Sequence, residues 1–270
     1  MKIDLATSLT EALGIPEGAL VSLVGAGGKT SLMYGLGREA AAAGRPALLT
    51  TTTKVLYPEG RQGILVVLGE ETPATAHEIG HRLERGEPVL AGRARVDEKI
   101  LGFSPAFVDS LHRGESAWTI VVECDGARGG SLKVPREFEP PLAESTDVYV
   151  IVVGADCLGG PLDAREVFNP EAIASVAGVE TCAPVDRDVV VRSVTSPDSY
   201  LGRKPAGARC CVFINKVGVG TAAELCADAD RERVTAAFEV GFALKSDEGI
   251  ERVVYGSLEQ GPEKGFLVLR

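Results

Sequence analysis

The sequence predicts an α/β protein, a three-layer sandwich built on a mainly parallel sheet. Two observations carry this. Short apolar runs recur along the chain with helix-compatible stretches between several of them. The first complete unit, near the start, also reads strand, glycine turn, helix, strand, which is a βαβ crossover and needs parallel pairing.

The elements follow in order. Residues 5–13 carry apolar side chains at helical spacing, and Gly14-Ile-Pro-Glu-Gly18 breaks the pattern, so a short helix is expected before a first strand at 19–24. Residues 25–28 tolerate positive φ, and 31–43 is rich in helix formers up to Gly44. RPALLTTTTK, residues 45–54, reads as a second buried strand ending in threonines. Further strands are expected at 64–68, 88–91, 118–122, 148–153 and 210–214, and helices at 74–85, 105–112, 170–177 and 221–238. There is no internal repeat and no low-complexity linker; the Pro- and Gly-rich stretch 126–141 reads as a functional loop inside one domain spanning 1–270.

Composition narrows the function classes. The 270 residues are 45% hydrophobic and 24% charged, an ordinary globular balance that leaves no room for disorder. A net charge of -10 opposes a broad nucleic-acid or anionic-membrane footprint while leaving room for a local cationic pocket. No apolar run approaches the roughly 18 to 20 residues of a membrane span, and MKIDLATSLTEALG lacks the basic and apolar regions of a secretory signal. A cytoplasmic protein is expected. Its six cysteines, Cys124, Cys157, Cys182, Cys210, Cys211 and Cys226, show no C-x-x-C spacing and read as reduced, mostly buried thiols.

Chemistry concentrates at the first glycine turn. Gly25, Ala26, Gly27 and Gly28 offer backbone N–H groups that can converge on an anion. The helix entered through Lys29, Thr30 and Ser31 adds its dipole. Lys29 supplies a charge for the β and γ phosphates, and Thr30 a hydroxyl for magnesium. A standard P-loop, G-x-x-x-x-G-K-[ST], would have its first glycine at Leu23, so this is a shortened cradle. A P-loop NTPase-like domain also needs an acidic strand end to hold magnesium. WTIVVECDGARGG provides Glu123 and Asp125, which alternation aims the same way. Asp125 is expected to be the magnesium partner and Glu123 the water-positioning or general-base group, both being candidate metal ligands with Thr30. Lys29, Glu123 and Asp125 form the candidate catalytic set.

Other segments are expected at the same sheet edge. Thr52 and Thr53 offer hydroxyls to magnesium or phosphate, and Lys54 a balancing charge. Arg128 and Lys133, in the loop after the acidic strand end, are candidates to clamp an anionic substrate. CCVFINKVG places Asn215 and Lys216 after an apolar strand, as in the N-K-x-D segment that reads guanine, but Gly218 replaces the aspartate; both ATP and GTP stay open. His77 and His81, four apart, read as surface residues without a third metal ligand, and Cys124 and Cys157 as packed small residues.

The loop G-x-x-G-K-T resembles that of the Mur ligases, and Glu123-x-x-Gly126 resembles a segment of the nickel-metallochaperone GTPases. A distributed set, VGAGGKTSLMY, TTTTKVLYP, EKILGFSPAFVDSL, VVECDGARGGSLKVP, VVGADCLGGPL and RCCVFINKVG, resembles the YqeC family from about Val21 to Gly218. That family is described as selenium-dependent hydroxylase accessory or selenium cofactor biosynthesis proteins. The chain departs from its pattern at Cys124, which replaces alanine, and at Ser131, where proline is frequent. It departs again at Val167-Phe-Asn-Pro-Glu171, which lacks the histidine and arginine of V-H-R-P-E. The resemblance implies a place in maturing a selenium-dependent molybdenum hydroxylase, with that enzyme or its cofactor-maturation machinery as partner. The expectation is a magnesium-dependent protein that binds and hydrolyses ATP or GTP. A small-molecule kinase or ligase, or a nucleotide-bound chaperone without catalysis, are the alternatives.

Overall fold

The computed structural model describes residues 2–59, 63–86, 88–114, 118–218, 228–259 and 265–270. Its strands are β1 (Ile3–Ala6), β2 (Leu20–Gly25), β3 (Ala47–Thr51), β4 (Lys54–Leu56), β5 (Leu65–Leu68), β6 (Val89–Gly92), β7 (Ala94–Val96), β8 (Lys99–Leu101), β9 (Thr119–Glu123), β10 (Val148–Gly154), β11 (Arg209–Asn215), β12 (Arg252–Tyr255) and β13 (Phe266–Leu269). The helices are α1 (Leu9–Leu13), α2 (Lys29–Ala42), α3 (Pro73–Leu83), α4 (Pro105–Gly114), α5 (Pro170–Ala177), α6 (Arg187–Thr195) and α7 (Asp228–Lys245).

Ten strands form one sheet in the order β1-β13-β12-β11-β10-β2-β9-β3-β6-β5. From β12 to β5 every pairing is parallel, and only β13 runs against its neighbours. Parallel strands covered on both faces need unbroken apolar sequence. The central strands have it: β2 (LVSLVG) and β10 (VYVIVVG) are buried at every position. Ile79 and Leu83 of α3, Val108 and Leu111 of α4, and the inner faces of α5, α6 and α7 share one core with one side of the sheet. Leu9 and Leu13 of α1 and Leu32, Met33 and Leu36 of α2 fill the other. Burying each such side chain contributes roughly 1.5–3 kcal/mol. The α/β, three-layer expectation thus matches the observed architecture. No described helix is long and apolar enough to cross a membrane.

The structure differs from expectation in several places, among them strands β12 and β13, which lie beyond the last strand expected at 210–214. The helix expected over 5–13 is split. Ile3–Ala6 pairs with β13, and the helix begins only at Leu9, where the Ser8 side chain accepts the Glu11 amide and fixes an extended residue as cap. A second sheet, β4-β8-β7, was not anticipated, because three-residue strands carry no readable periodicity; its Val55 and Ile100 enter the core beside α2. Helix α6 is rich in valine and imitates a strand, yet Asp186 caps it by accepting the Val189 amide. The helix expected over 221–238 appears as α7, Asp228–Lys245, with 221–227 lying outside the described residues.

Candidate functional site

Parallel pairing places the carboxyl ends of the central strands on one sheet edge. Gly25 ends β2, Glu123 ends β9, Thr51 ends β3, Gly154 ends β10 and Asn215 ends β11. Strands β9, β3, β6 and β5 extend to one side of β2 and β10, β11 and β12 to the other. A crevice opens where strand order diverges in this way, and open α/β sheets bind ligands there.

The glycine turn is tight because it is pressed against this edge. Gly27 has φ 87° and Gly28 φ 130°, conformations that L side chains rarely adopt. A Cβ at Gly27 would collide with the Gly154 backbone, and one at Gly28 with the side-chain amide of Asn215. The turn spends part of its donor set on this packing. The Ala26 amide donates to Val152 O at 2.9 Å and the Gly27 amide to Gly130 O at 2.9 Å, while the Gly25 amide faces Asp125 Oδ2 at 3.4 Å. The expectation that the amides of residues 25–28 all converge on an anion is therefore corrected: those of Ala26 and Gly27 have backbone acceptors. The donors left over belong to residues 28–31, the first turn of α2, whose N–H groups have no acceptor inside the helix.

Behind the turn lies a buried ionic cluster. Asp125 is 0% exposed; the Lys29 ammonium is 3.2 Å from its Oδ1, the Lys133 ammonium 3.1 Å from its Oδ2, and the Tyr200 hydroxyl donates to Oδ2 at 2.5 Å. Lys29 also donates to Gly25 O at 2.5 Å, and Lys133 to Gly126 O at 2.8 Å with Glu139 Oε2 at 2.7 Å. Taking these charges out of water is tolerable only because each meets an opposite charge and further hydrogen bonds. Burial pushes the Tyr200 phenol well above its ordinary pKa, helped by the neighbouring Asp125 charge, so it stays a neutral donor.

Glu123 faces the other way. Its Oε2 accepts the Thr30 hydroxyl at 2.7 Å. Burial raises its carboxyl above the ordinary range, against the pull of Lys29 and of the Thr30 hydrogen bond. Of the two carboxylates, Glu123 stands with the candidate magnesium hydroxyl, and Asp125, expected to be the magnesium partner, is paired with Lys29 and Lys133.

A cleft of about 450 Å³ opens over these groups. Gly27, Gly28, Lys29, Thr30 and Ser31 form its floor, Lys54 and Lys99 one wall, Arg128 and Lys216 the other, and Glu123 is the one carboxylate among its lining residues. Lys216 is held at φ 65°, with its ammonium 2.6 Å from Asp156 Oδ2 and 2.9 Å from Ser131 Oγ. Several expected contributors do not line the cleft. Asn215 is buried as a brace, its amide donating to Gly27 O at 2.7 Å and its carbonyl accepting the Leu258 amide at 3.2 Å. Thr52 donates its backbone amide to Glu123 O, and the Thr53 hydroxyl lies 3.2 Å from that of Thr51, so both serve the strand ends. Lys133 is fixed in the buried cluster.

Tyr200, Ser131, Asp156 and Lys99 were not anticipated. Tyr200 lies 75 residues from Asp125 in sequence, and nothing local marks it. Cys124 and Cys157 are buried, with thiols pushed up to about 12 by desolvation, so they stay protonated and are poor metal ligands. His77 and His81 line a separate cavity between α3 and α4. Among the described residues no group of three or more His, Cys, Asp or Glu could hold a metal ion, whereas the Thr30 hydroxyl and Glu123 are the hard oxygen donors magnesium takes alongside phosphate and water.

The model of the YqeC protein family matches residues 21–171, which contain the glycine turn, both acidic residues and the loop after them. The chain belongs to the YqeC family. A curated relative is protein YqeC of Escherichia coli (strain K12), 30% identical over 197 residues, which cover 73% of this chain and 75% of the relative. The departures from the family pattern have structural places: Ser131 receives the Lys216 ammonium, and Phe168 and Asn169 line a second cavity next to the cleft.

Proposed function

We propose that the protein binds a magnesium nucleoside triphosphate, ATP or GTP, in the cleft over α2 and hydrolyses it, acting as one P-loop NTPase-like domain over residues 1–270. The 2.7 Å contact between Thr30 and Glu123, beside the free first-turn amides of α2, is the observation that carries this reading. In it, the amides of residues 28–31 and the Lys29 ammonium bind the β and γ phosphates, and Lys54, Arg128 and Lys216 offset the remaining charge. Thr30 and Glu123 would hold magnesium, directly or through water, and the ion would supply charge neutralisation at the phosphates. Glu123 in addition is the carboxylate positioned to orient water. Asp125 acts through Lys29, as a positioning residue, and Asn215 keeps the turn closed.

The family resemblance supports a further reading, that turnover assists maturation of a selenium-dependent molybdenum hydroxylase. Release of phosphate from ATP and GTP with magnesium, by wild type and by Lys29→Ala, tests the chemistry. Selenium content and activity of the hydroxylase in cells lacking this protein, complemented with either form, test the role. Turnover equal in both forms would refute the first, and a hydroxylase indifferent to the deletion the second.

A further inference from the structure

We propose that the cavity on the far side of the 126–130 loop is a second binding site, for a small molecule that carries a phosphate or carboxylate group. The cavity holds about 520 Å³ and is lined by Arg128, Arg136 and Arg165 with Phe168 between them, against a single lining carboxylate, Glu171. Such a gathering of guanidinium groups opposes the chain's net charge of -10. Arg165 is partly neutralised by Asp163 at 2.5 Å, but neither Arg128 nor Arg136, both exposed, forms an ion pair with a carboxylate among the described residues. Their side chains are gathered instead around one ring: the guanidinium carbons lie 5.9 Å and 5.1 Å from the Phe168 ring centroid, and the buried Lys133 ammonium 5.3 Å. Guanidinium groups that line one cavity without a carboxylate partner offer hydrogen-bond donors and charge to an oxyanion.

The site has a definite relation to the cleft. Ala127, Arg128, Gly129 and Gly130 line both cavities, and Gly130 O accepts the Gly27 amide of the glycine turn at 2.9 Å. The occupant and the phosphate cradle thus share one wall four residues long. That it sits beside a nucleotide rests on the function proposed above; that it binds an anion does not.

Calorimetric titration of the full chain with inorganic pyrophosphate and with citrate tests the site, run on the Lys29→Ala form so that the cradle is weakened. One anion should still bind at about one per chain. Arg136→Ala, at a residue that lines this cavity and not the cleft, should weaken it by about tenfold or more. Preference for pyrophosphate would identify a phosphate ligand, and preference for citrate a carboxylate. No binding of either anion to Lys29→Ala, or binding unchanged by Arg136→Ala, would overturn the proposal. ATP and GTP titrations of the wild type separate the two ideas: nucleotide binding without arginine-dependent anion binding removes this site alone, and the converse supports it while removing the cradle.

Discussion

The Lys29 ammonium is folded back onto Asp125, 3.2 Å from its carboxylate, in a position where neither side chain is more than 4% exposed. The cation that a triphosphate would require is therefore already neutralised by the protein. On the proposed function, binding a phosphate would mean exchanging one anionic partner of Lys29 for another, and Lys133, 3.1 Å from Oδ2, would keep Asp125 paired.

Asp125→Asn should destabilise the fold by about 3–5 kcal/mol, because two buried ammonium groups lose their shared counter-charge. Tyr200→Phe, which removes one hydrogen bond to the same carboxylate, should cost about 1.5–3 kcal/mol. Urea denaturation measures both. An Asp125→Asn protein as stable as wild type would contradict the ionic role given to the cluster.

Glu123 predicts a pH dependence. Its raised carboxyl binds its proton more tightly in the folded protein than in the unfolded chain. Stability from this group should thus fall as pH rises from the unfolded glutamate value, about 4.3, through the raised folded value. Magnesium needs the ionised form, so magnesium-dependent nucleotide affinity should rise across the same window. Glu123→Gln should flatten both profiles, as followed by denaturation and by nucleotide titration at several pH values. Profiles that persist in the variant would assign the titration to another group.

Asn215→Ala should leave the Gly27 carbonyl without its side-chain donor and cost about 1–3 kcal/mol of stability. Since Asn215 braces the turn and does not line the cleft, ATP and GTP affinities should fall by the same factor. A loss confined to one nucleotide would make Asn215 a reader of the base.

The parallel sheet and the glycine turn were legible for a common reason: strands buried on both faces must be continuously apolar, and a turn pressed against the Gly154 backbone and the Asn215 amide leaves no room for side chains at Gly27 and Gly28. Both constraints mark the sequence locally. Leu23, where a standard P-loop has its first glycine, is simply a core residue of β2, paired with Glu123 across the sheet. The different surroundings of Glu123 and Asp125 were not legible, because they depend on Tyr200 and Lys133, which only the folded chain brings to Asp125. The short sheet β4-β8-β7, which contributes Lys54 and Lys99 to the cleft, escaped for lack of length.

The most direct test of the cradle is calorimetric titration of ATP and of GTP, with magnesium, into wild type and Lys29→Ala. Wild type should bind at least one of the two nucleotides. The variant should bind it at least about tenfold more weakly, the loss of one charge-assisted contact. Equal affinity in the two proteins, or no binding of either nucleotide to wild type, would contradict the assignment of residues 28–31 as a phosphate cradle.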